Sequence, residues 1–179
     1  MGDILISLGS NLDYREENIR YALDRMTAFF RIVDLSFFYE TEPLVYIWQG
    51  WFINAVVSGY FDDDPLELLR LLKDIESQMG RAQKYDKGPR IIDLDILIFN
   101  DLIANTAELT IPHTRMIERK FMLLPIKDIK PNFIHPTLNK HIDILINECR
   151  DNSTIIKRGH LWRKDECIKS HEHIDLESI

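Results

Sequence analysis

Cysteine is scarce in this sequence: the 179 residues contain only Cys149 and Cys167, whose separation is not that of a metal-binding pair. Two cysteines are too few for a dense disulfide framework or for a zinc site built on thiolates. Free thiols in a chain of this size indicate a reducing compartment. We therefore expect a cytoplasmic location.

The sequence also lacks the apolar segments that direct a chain to a membrane. Asp3 comes directly after Met1 and Gly2, and the apolar run that follows, Ile4-Leu5-Ile6, is too short for a signal peptide. One long stretch without charge, residues 44–61, is interrupted by amides, glycines and a serine. We expect neither a membrane-spanning helix nor a membrane partner.

Positive charge is in the minority, since 22 lysines and arginines stand against 29 acidic residues and the net charge is -7. Such a surface as a whole does not attract nucleic acid or an acidic membrane. A substrate that carries phosphates would need a local basic patch. Two segments could supply one, and their basic residues are Arg81, Lys84, Lys87 and Arg90 in the first and Arg115, Arg119 and Lys120 in the second.

The length fits a single domain, which we place at residues 1–152. The apolar pattern fades after that point, and residues 153–179 are assigned to a C-terminal tail of unknown role. His171 and His173 lie in the tail, where a solvated terminus is a simpler interpretation than a metal site. The sequence does not indicate an oligomeric state.

Hydrophobic periodicity predicts the order strand, helix, strand, strand, helix, strand, followed by short helices. The strands are expected near residues 3–8, 32–39, 52–60 and 91–99, and the helices near 14–30 and 66–79. Asp13 and Glu16 are expected to form a capping box at the start of the first helix. This split βαβ order predicts an α+β, ferredoxin-like antiparallel sheet with helices on one face and extra C-terminal helices.

Two acidic residues lie in the most apolar of these strands. Side chains alternate along a strand, so Asp93 and Asp95 are expected to point to the same side. Carboxylates in this arrangement can bind Mg²⁺, which completes its shell with water and substrate phosphates. A solvated strand face is the alternative, but it explains poorly two aspartates among so many isoleucines and leucines. We favour the metal site.

The basic segments flank this strand, because Arg90 leads directly into it and Arg115 and Arg119 follow His113. Phosphoryl transfer depends on positioning and on neutralising the charge of the transferred group, which calls for arginine together with Mg²⁺. A solvated, mobile loop is the alternative for the first segment, and a buried histidine for His113. There is no Walker motif or kinase Gly-rich loop, so use of ATP would need another architecture.

An aromatic segment from Tyr46 to Phe52 precedes the strand that contains Asn54. Aromatic side chains could stack on a flat organic ring, and a buried amide that donates and accepts hydrogen bonds suits the edge of such a ring. On these residues alone, simple core packing is the favoured interpretation.

Several motifs together resemble the 6-hydroxymethyl-7,8-dihydropterin pyrophosphokinase family, over about Ile4 to Cys149. The matching blocks are Gly9-Ser10-Asn11-Leu12, Phe38-Tyr39-Glu40-Thr41, Gly88-Pro89-Arg90 with Asp93-Leu94-Asp95-Ile96, and Leu109-Thr110-Ile111-Pro112-His113 with Arg119 and Phe121-Met122-Leu123. The resemblance implies an ATP-dependent pyrophosphokinase of folate biosynthesis. Such an enzyme transfers diphosphate from MgATP to the reduced hydroxymethylpterin and releases AMP.

The resemblance also implies roles for individual residues. Asp93 and Asp95 would bind two Mg²⁺ ions, and Arg81 and Arg90 would be catalytic. The positions implied around ATP are Glu76, Arg90, Ile96, Thr110, His113 and Arg119. The positions implied around the pterin are Thr41, Pro43, Leu44, Phe52, Asn54 and Phe121, with the two phenylalanines on the two faces of the ring.

The chain departs from a familiar bacterial form of the family in its basic loop, which is one residue shorter. Lys87, Gln83, Phe52 and Thr114 stand where Trp, Arg, Tyr and Tyr are frequent. These differences bear on the details of loop closure and of the adenosine contacts, and not on the reaction that the resemblance implies. We expect the loop from Arg81 to Arg90 to close over the bound phosphates.

Two other functions use similar features. A ferredoxin-like fold also serves RNA-binding modules, although those need exposed aromatics on a basic sheet. A metal-dependent nucleotidyltransferase or phosphohydrolase could use the same aspartates. Small-molecule substrates, and no nucleic acid, are the partners that we expect.

Overall fold

A six-stranded antiparallel sheet organises the part of the chain that the computed structural model describes, residues 4–43, 49–80 and 88–159. The predictions for Leu44, Arg81, the closing of the basic loop and the histidines of the tail fall outside these residues. None of the helices in the described ranges is long and apolar enough to cross a membrane.

The elements follow the predicted order except in one place: the single strand predicted near residues 32–39 is divided into two strands, which pair with different parts of the same neighbour. The strands of the main sheet are β1 (Ile4–Ser10), β2 (Arg31–Leu35), β3 (Tyr39–Thr41), β4 (Phe52–Tyr60) and β5 (Asp93–Phe99), and later β8 (Ile155–Lys157). Between them lie the helices α1 (Arg15–Met26) and α2 (Pro65–Gln78). A small hairpin of β6 (Ala104–Asn105) and β7 (Thr110–Ile111), a 3₁₀ turn (Met116–Glu118), α3 (Lys120–Ile129) and α4 (Ile142–Glu148) complete the chain before β8.

The sheet has the order β5-β1-β4-β3-β8, and β2 pairs with β4 farther along the same edge as β3. β1 is central and pairs with both β4 and β5, so that Gly9 lies between Asn54 and Asp93, and Ser7 between Val56 and Asp95. Every pair is antiparallel, as expected for the split βαβ order.

Helices cover both faces of the sheet. The pair α1 and α2 packs on one face, where Leu23 and Leu72 are fully buried among Ile6, Leu8 and Leu94. The pair α3 and α4, which corresponds to the predicted extra C-terminal helices, packs on the other face over Leu5, Val56 and Leu97. One apolar core therefore lies on each face of the sheet. The core under α3 and α4 covers only part of its face.

The first two helices begin in different ways. Asp64 caps α2, because its Oδ1 accepts hydrogen bonds from Leu66 N at 2.8 Å and Glu67 N at 3.0 Å, and Pro65 is the first helical residue. The capping box predicted for Asp13 and Glu16 is wrong. Asp13 takes a left-handed φ of 51°, and Tyr14 becomes the residue before α1, with no side-chain cap among the described groups.

Strand β8 lies beyond residue 152, inside the segment assigned to the tail. It pairs with β3 over three residues, from Tyr39↔Lys157 to Thr41↔Ile155. A strand this short has no periodicity that the sequence could reveal, and its stability comes from its neighbours. The domain boundary after residue 152 itself stays a prediction.

Candidate active site

A cavity of about 300 Å³ lies on the sheet face that α3 covers, at the end where β1 finishes and β5 begins. Strands supply its floor with Ser7, Gly9, Asn54, Asp93 and Asp95. The register explains why these side chains meet: each strand presents alternate residues to one face, and the pairs through Gly9 and Ser7 align them. The other lining residues are Thr41, Glu42, Pro43, Gln49, Phe52, Gly88, Arg90, Arg115, Arg119, Phe121 and Met122.

Asp93 and Asp95 point to the same face, as their spacing predicts, and both line the cavity. Their side chains are 21% and 30% exposed. Burial raises the pKa of Asp95, and the charge of Asp93 raises it further, while Lys73, His113 and Arg90 oppose this shift. Lys73 Nζ lies 3.9 Å from Asp95 Oδ1. The carboxylate pair therefore carries mutual repulsion that a bound cation would relieve.

Arg90 pairs with Asp93 through its guanidinium group. Its backbone is fixed by Asn11: Arg90 N donates to Asn11 Oδ1 at 2.6 Å, and Asn11 N donates to Arg90 O at 3.1 Å. Asn11 Nδ2 also donates to Gln49 Oε1 at 3.1 Å. The buried Asn11 thus joins the loop before β4 to the loop before β5, and both contribute to the cavity wall.

Arg119 and Arg115 bring further positive charge to the cavity. Burial lowers the pKa of Arg119, and the neighbouring Arg115 lowers it further. The Nε atom of Arg119 is buried without a hydrogen-bond partner among the described residues, and its guanidinium carbon lies 5.4 Å from the centre of the Phe121 ring. A buried guanidinium with an unused donor is suited to bind an anion.

The other part of the cavity combines aromatic rings with the buried amide of Asn54. Phe52 and Phe121 line it, and Asn54 Nδ2 donates to Thr41 Oγ1 at 2.8 Å. Gly9 lies beneath this amide, where an added Cβ would come within 2.9 Å of Asn54 Oδ1. Glycine here leaves room for the Asn54 side chain, which is held in one orientation by Thr41.

The family model of 7,8-dihydro-6-hydroxymethylpterin-pyrophosphokinase (HPPK) matches residues 5–131. The chain belongs to this family. It is 35% identical to the 2-amino-4-hydroxy-6-hydroxymethyldihydropteridine pyrophosphokinase of Aquifex aeolicus over 140 residues, which cover 78% of this chain and 88% of the relative. The corresponding protein of Bacillus subtilis is 41% identical over 126 residues, covering 69% and 75% of the two chains.

Larger relatives also match. The folic acid synthesis protein FOL1 of Dictyostelium discoideum is 43% identical over 136 residues, which cover 76% of this chain. The chain spans only 21% of the length of that relative and 18% of its counterpart in Schizosaccharomyces pombe.

A solved structure, HPPK-DHPS of Plasmodium falciparum with pteroate, superimposes with a TM-score of 0.67 over 82% of this chain and 42% of that one. Its sequence identity to this chain is 20%, so the likeness concerns the fold. It confirms the α+β, ferredoxin-like class.

Four of the positions that the HPPK resemblance implies around ATP do not line the cavity. Glu76 is 1% exposed and directs its Oε1 to Leu94 N at 2.7 Å and Lys73 Nζ at 2.8 Å. Ile96 is buried in the core under α1 and α2, and Thr110 lies in β7. His113 donates its backbone N–H to Leu97 O at 2.9 Å, and burial lowers the pKa of its imidazole.

These four positions share a location along the backbone of β5. Leu94 directs its N–H to Glu76 and its carbonyl to Lys73, away from β1. Because backbone groups alternate along an antiparallel ladder, those of Ile96 also face away from β1, at the edge of the sheet that β5 forms beside the cavity.

Three of the lining residues were not indicated by the sequence patterns: Ser7, Glu42 and Gln49. Each of these types is ordinary on a strand, loop or helix, and only the register and the packing of α3 bring them here. Gly9 and Asn11 belong to a matching HPPK block, which was a usable signal, but their contacts with Asn54 and Arg90 depend on the fold.

A larger cavity, of about 470 Å³, lies at the other end of β5, among Ile98, Asn100 and Phe133. It contains none of the residues that the sequence analysis proposed for the site. Asp101 and Lys130 are the charged residues that line it, whereas the paired aspartates and the arginines that suit phosphoryl transfer line the smaller cavity.

Proposed function

We propose that the protein transfers the diphosphate group of ATP to the hydroxymethyl group of 6-hydroxymethyl-7,8-dihydropterin. The observation that carries this proposal is the division of one cavity into two parts. Asp93, Asp95, Arg90 and Arg119 line one part, and the other combines aromatic rings with the buried amide of Asn54. The first suits a metal-bound polyphosphate and the second a flat heterocycle.

Asp93 and Asp95 are the residues that would hold Mg²⁺, and we propose two ions. Both offer hard oxygen ligands from one strand face, and no group of three or more His, Cys, Asp or Glu side chains suited to a metal occurs in the described ranges. A pair of carboxylates fits magnesium, which keeps water and phosphate oxygens in its shell. When bound, the metal neutralises phosphate oxygens and orients the attacking hydroxyl.

The arginines would neutralise the remaining charge of the polyphosphate. Asn11 holds the backbone of Arg90, so only the guanidinium group would have to move from Asp93 to a phosphate. Arg119 offers a buried donor, and Arg81 is the further cation that the family resemblance implies. The outward-facing backbone of Ile96, with Glu76, Thr110 and His113 near the same edge, would then accommodate the rest of the nucleotide.

The pterin would lie between Phe52 and Phe121, with its edge against Asn54. The hydrogen bond from Asn54 to Thr41 fixes the amide before the ligand arrives, so little rotamer entropy is lost on binding. Pro43 and Leu44 would complete this end of the site. The bound hydroxymethyl group would point toward the two carboxylates. These lie on the same sheet face as Asn54, because Gly9 pairs with Asn54 on one side and with Asp93 on the other.

The reaction forms one bond and breaks another. The hydroxymethyl oxygen attacks the β-phosphorus and loses its proton, and the bond from that phosphorus to the oxygen shared with the α-phosphate breaks. AMP leaves with the bonding electron pair. The β and γ phosphates stay together as the pterin diphosphate.

Mass spectrometry of the pterin product tests the proposal. Incubation with MgATP should add a diphosphate to the reduced hydroxymethylpterin, and ATP should not be consumed when the pterin is omitted. A pterin adenylate with free pyrophosphate would instead identify a nucleotidyltransferase. ATP consumption independent of the pterin would identify an ATPase, and tight binding of RNA without turnover would support a nucleic-acid module.

A further inference from the structure

Residues Asp151–Thr154 join α4 to β8, and we call this segment the connector. It lies beyond the residues that match the family model. Its four residues contact two separate parts of the cavity wall, through Asp151 at one end and Thr154 at the other.

Asp151 is a buried carboxylate, 8% exposed, at the start of α3. Its Oδ2 accepts a hydrogen bond from Lys120 N at 3.0 Å, and its Oδ1 accepts from Ser153 N at 2.9 Å and from Ser153 Oγ at 2.5 Å. The residue at the N-cap position of α3 is Arg119, whose guanidinium has no acceptor and cannot cap a helix. Asp151, which is distant in sequence, caps the helix instead, and its negative charge is favourable at the helix N-terminus.

The hydrogen bond to Lys120 N fixes the backbone between two cavity residues. Arg119 precedes Lys120 and Phe121 follows it, and both line the cavity. A shift of the first turn of α3 would displace the guanidinium and the ring together. Asp151 can therefore affect both side chains although it does not itself line the cavity.

Thr154 holds the second part of the wall. Glu42 N donates to Thr154 O at 3.3 Å, and Thr154 N donates to Glu42 Oε1 at 2.8 Å. Glu42 lines the cavity between Thr41, which orients Asn54, and Pro43. The connector thus spans from the segment after β3 to the start of α3.

We propose that Asp151 is a positioning residue for substrate binding, which sets the first turn of α3 against the segment after β3. This proposal rests on the proposed function for the identity of the substrates. The hydrogen bonds of Asp151 go to Lys120 and Ser153, and not to the two aspartates proposed to hold the metal. Loss of Asp151 should therefore weaken binding of ATP and pterin more than it slows the chemical step.

Three variants test this proposal in the full-length chain. Asp151→Ala removes every acceptor. Asp151→Asn keeps one oxygen for Lys120 N but loses the charge and the second acceptor. Ser153→Ala is the matched control, because it removes a hydrogen bond to the same carboxylate and leaves the contact with α3 intact.

Steady-state kinetics should show a rise in KM for both substrates of about tenfold for Asp151→Ala, comparable to the loss of a strong helix cap, with kcat within about threefold of the wild type. Asp151→Asn should recover part of this change, and Ser153→Ala should resemble the wild type. Unchanged KM values in Asp151→Ala, whatever its Tm, would overturn the proposal, as would an equal rise in Ser153→Ala.

Two further measurements separate this proposal from the proposed function. Without ligand, Asp151→Ala should speed amide hydrogen exchange in the first turn of α3, and Ser153→Ala should not. Calorimetry with Mg²⁺ and a non-hydrolysable ATP analogue should show weaker binding to Asp151→Ala only. If the wild type formed no pterin diphosphate, the proposed function would fail while these two comparisons still decided the role of Asp151. Unchanged exchange would contradict that role.

Discussion

Asn54 shows how much of the cavity depends on a single side chain. It is buried, donates to Thr41 and lies over Gly9, so its orientation is set by the protein before any ligand binds. On the residues alone, the sequence favoured core packing for this segment, whereas the HPPK resemblance implied a position for Asn54 beside the pterin. The structure places it in the cavity, where an amide edge is available to a ligand.

Replacing Asn54 with Ala should weaken pterin binding by about 1–3 kcal/mol, because polar groups on the ring edge would be left unpaired. ATP binding should change little. Titration calorimetry with each ligand measures this, and Thr41→Val is a useful control, since it removes only the group that orients the amide and should give a smaller loss. Equal losses for both ligands in Asn54→Ala would mean that Asn54 is only structural.

Asp95 illustrates a conflict between stability and function. Its pKa is raised by burial and by Asp93, so the folded protein holds this proton more tightly than the unfolded chain does. Above the ordinary carboxyl pKa, the ionised group therefore lowers the free energy of unfolding.

Asp95→Asn should raise the Tm at neutral pH in metal-free buffer and abolish most turnover, because asparagine removes the charge and keeps the shape. The difference in Tm between Asp95→Asn and the wild type should become smaller as the pH falls and Asp95 becomes protonated in the wild type. Asp143→Asn is the opposite control: Lys127 lowers the pKa of Asp143, and this substitution should not stabilise the protein. A lower Tm for Asp95→Asn, measured by differential scanning fluorimetry, would contradict the account.

At the scale of elements, sequence patterns located the strands and helices that bury apolar faces. β4 was predicted with its observed bounds, and α2 within one residue at each end, because long apolar runs and a Pro after an acidic cap are strong signals. β8 and the entry to α1 were missed. Both depend on neighbours distant in sequence or on a left-handed turn at Asp13, which local patterns do not encode.

Glu40 connects three of these elements. Its side chain pairs with Arg15 of α1 at 2.9 Å and accepts from Arg158 Nε, just after β8, at 3.0 Å. These contacts lower the pKa of Glu40, chiefly through the hydrogen bond from Arg158. Ionised Glu40 and its two arginine partners therefore stabilise the fold above the ordinary carboxyl pKa. This stabilisation is lost as the pH falls through the lowered pKa of Glu40.

Glu40→Gln should lower the free energy of unfolding at pH 7 by about 1 kcal/mol, as expected for a partly exposed ion pair. The difference from the wild type should narrow as the pH falls below about 4.3, the usual carboxyl pKa. Urea unfolding across this range measures it. Glu148→Gln, which breaks an exposed pair with Lys140, should change little, and a pH-independent loss in Glu40→Gln would argue for packing instead of charge.

For the whole molecule, one face of the sheet is divided between a core and a site. Leu5, Val56 and Leu97 pack under α3 and α4, while Gly9, Asn54 and the two aspartates remain open at the end that those helices leave uncovered. The sequence could predict which residues share a strand face. It could not predict which part of that face would be covered, because this follows from where α3 begins.

The central claim is attack on the β-phosphorus of ATP at a site organised by Asp93 and Asp95. The most direct test is to incubate the protein with Mg²⁺, ATP and reduced hydroxymethylpterin and to resolve the nucleotides by chromatography, for the wild type and for Asp93→Ala and Asp95→Ala. We predict AMP in step with pterin consumption, and almost no turnover in either variant while both still fold. ADP formed in step with pterin consumption, or near-normal rates in both variants, would contradict the account.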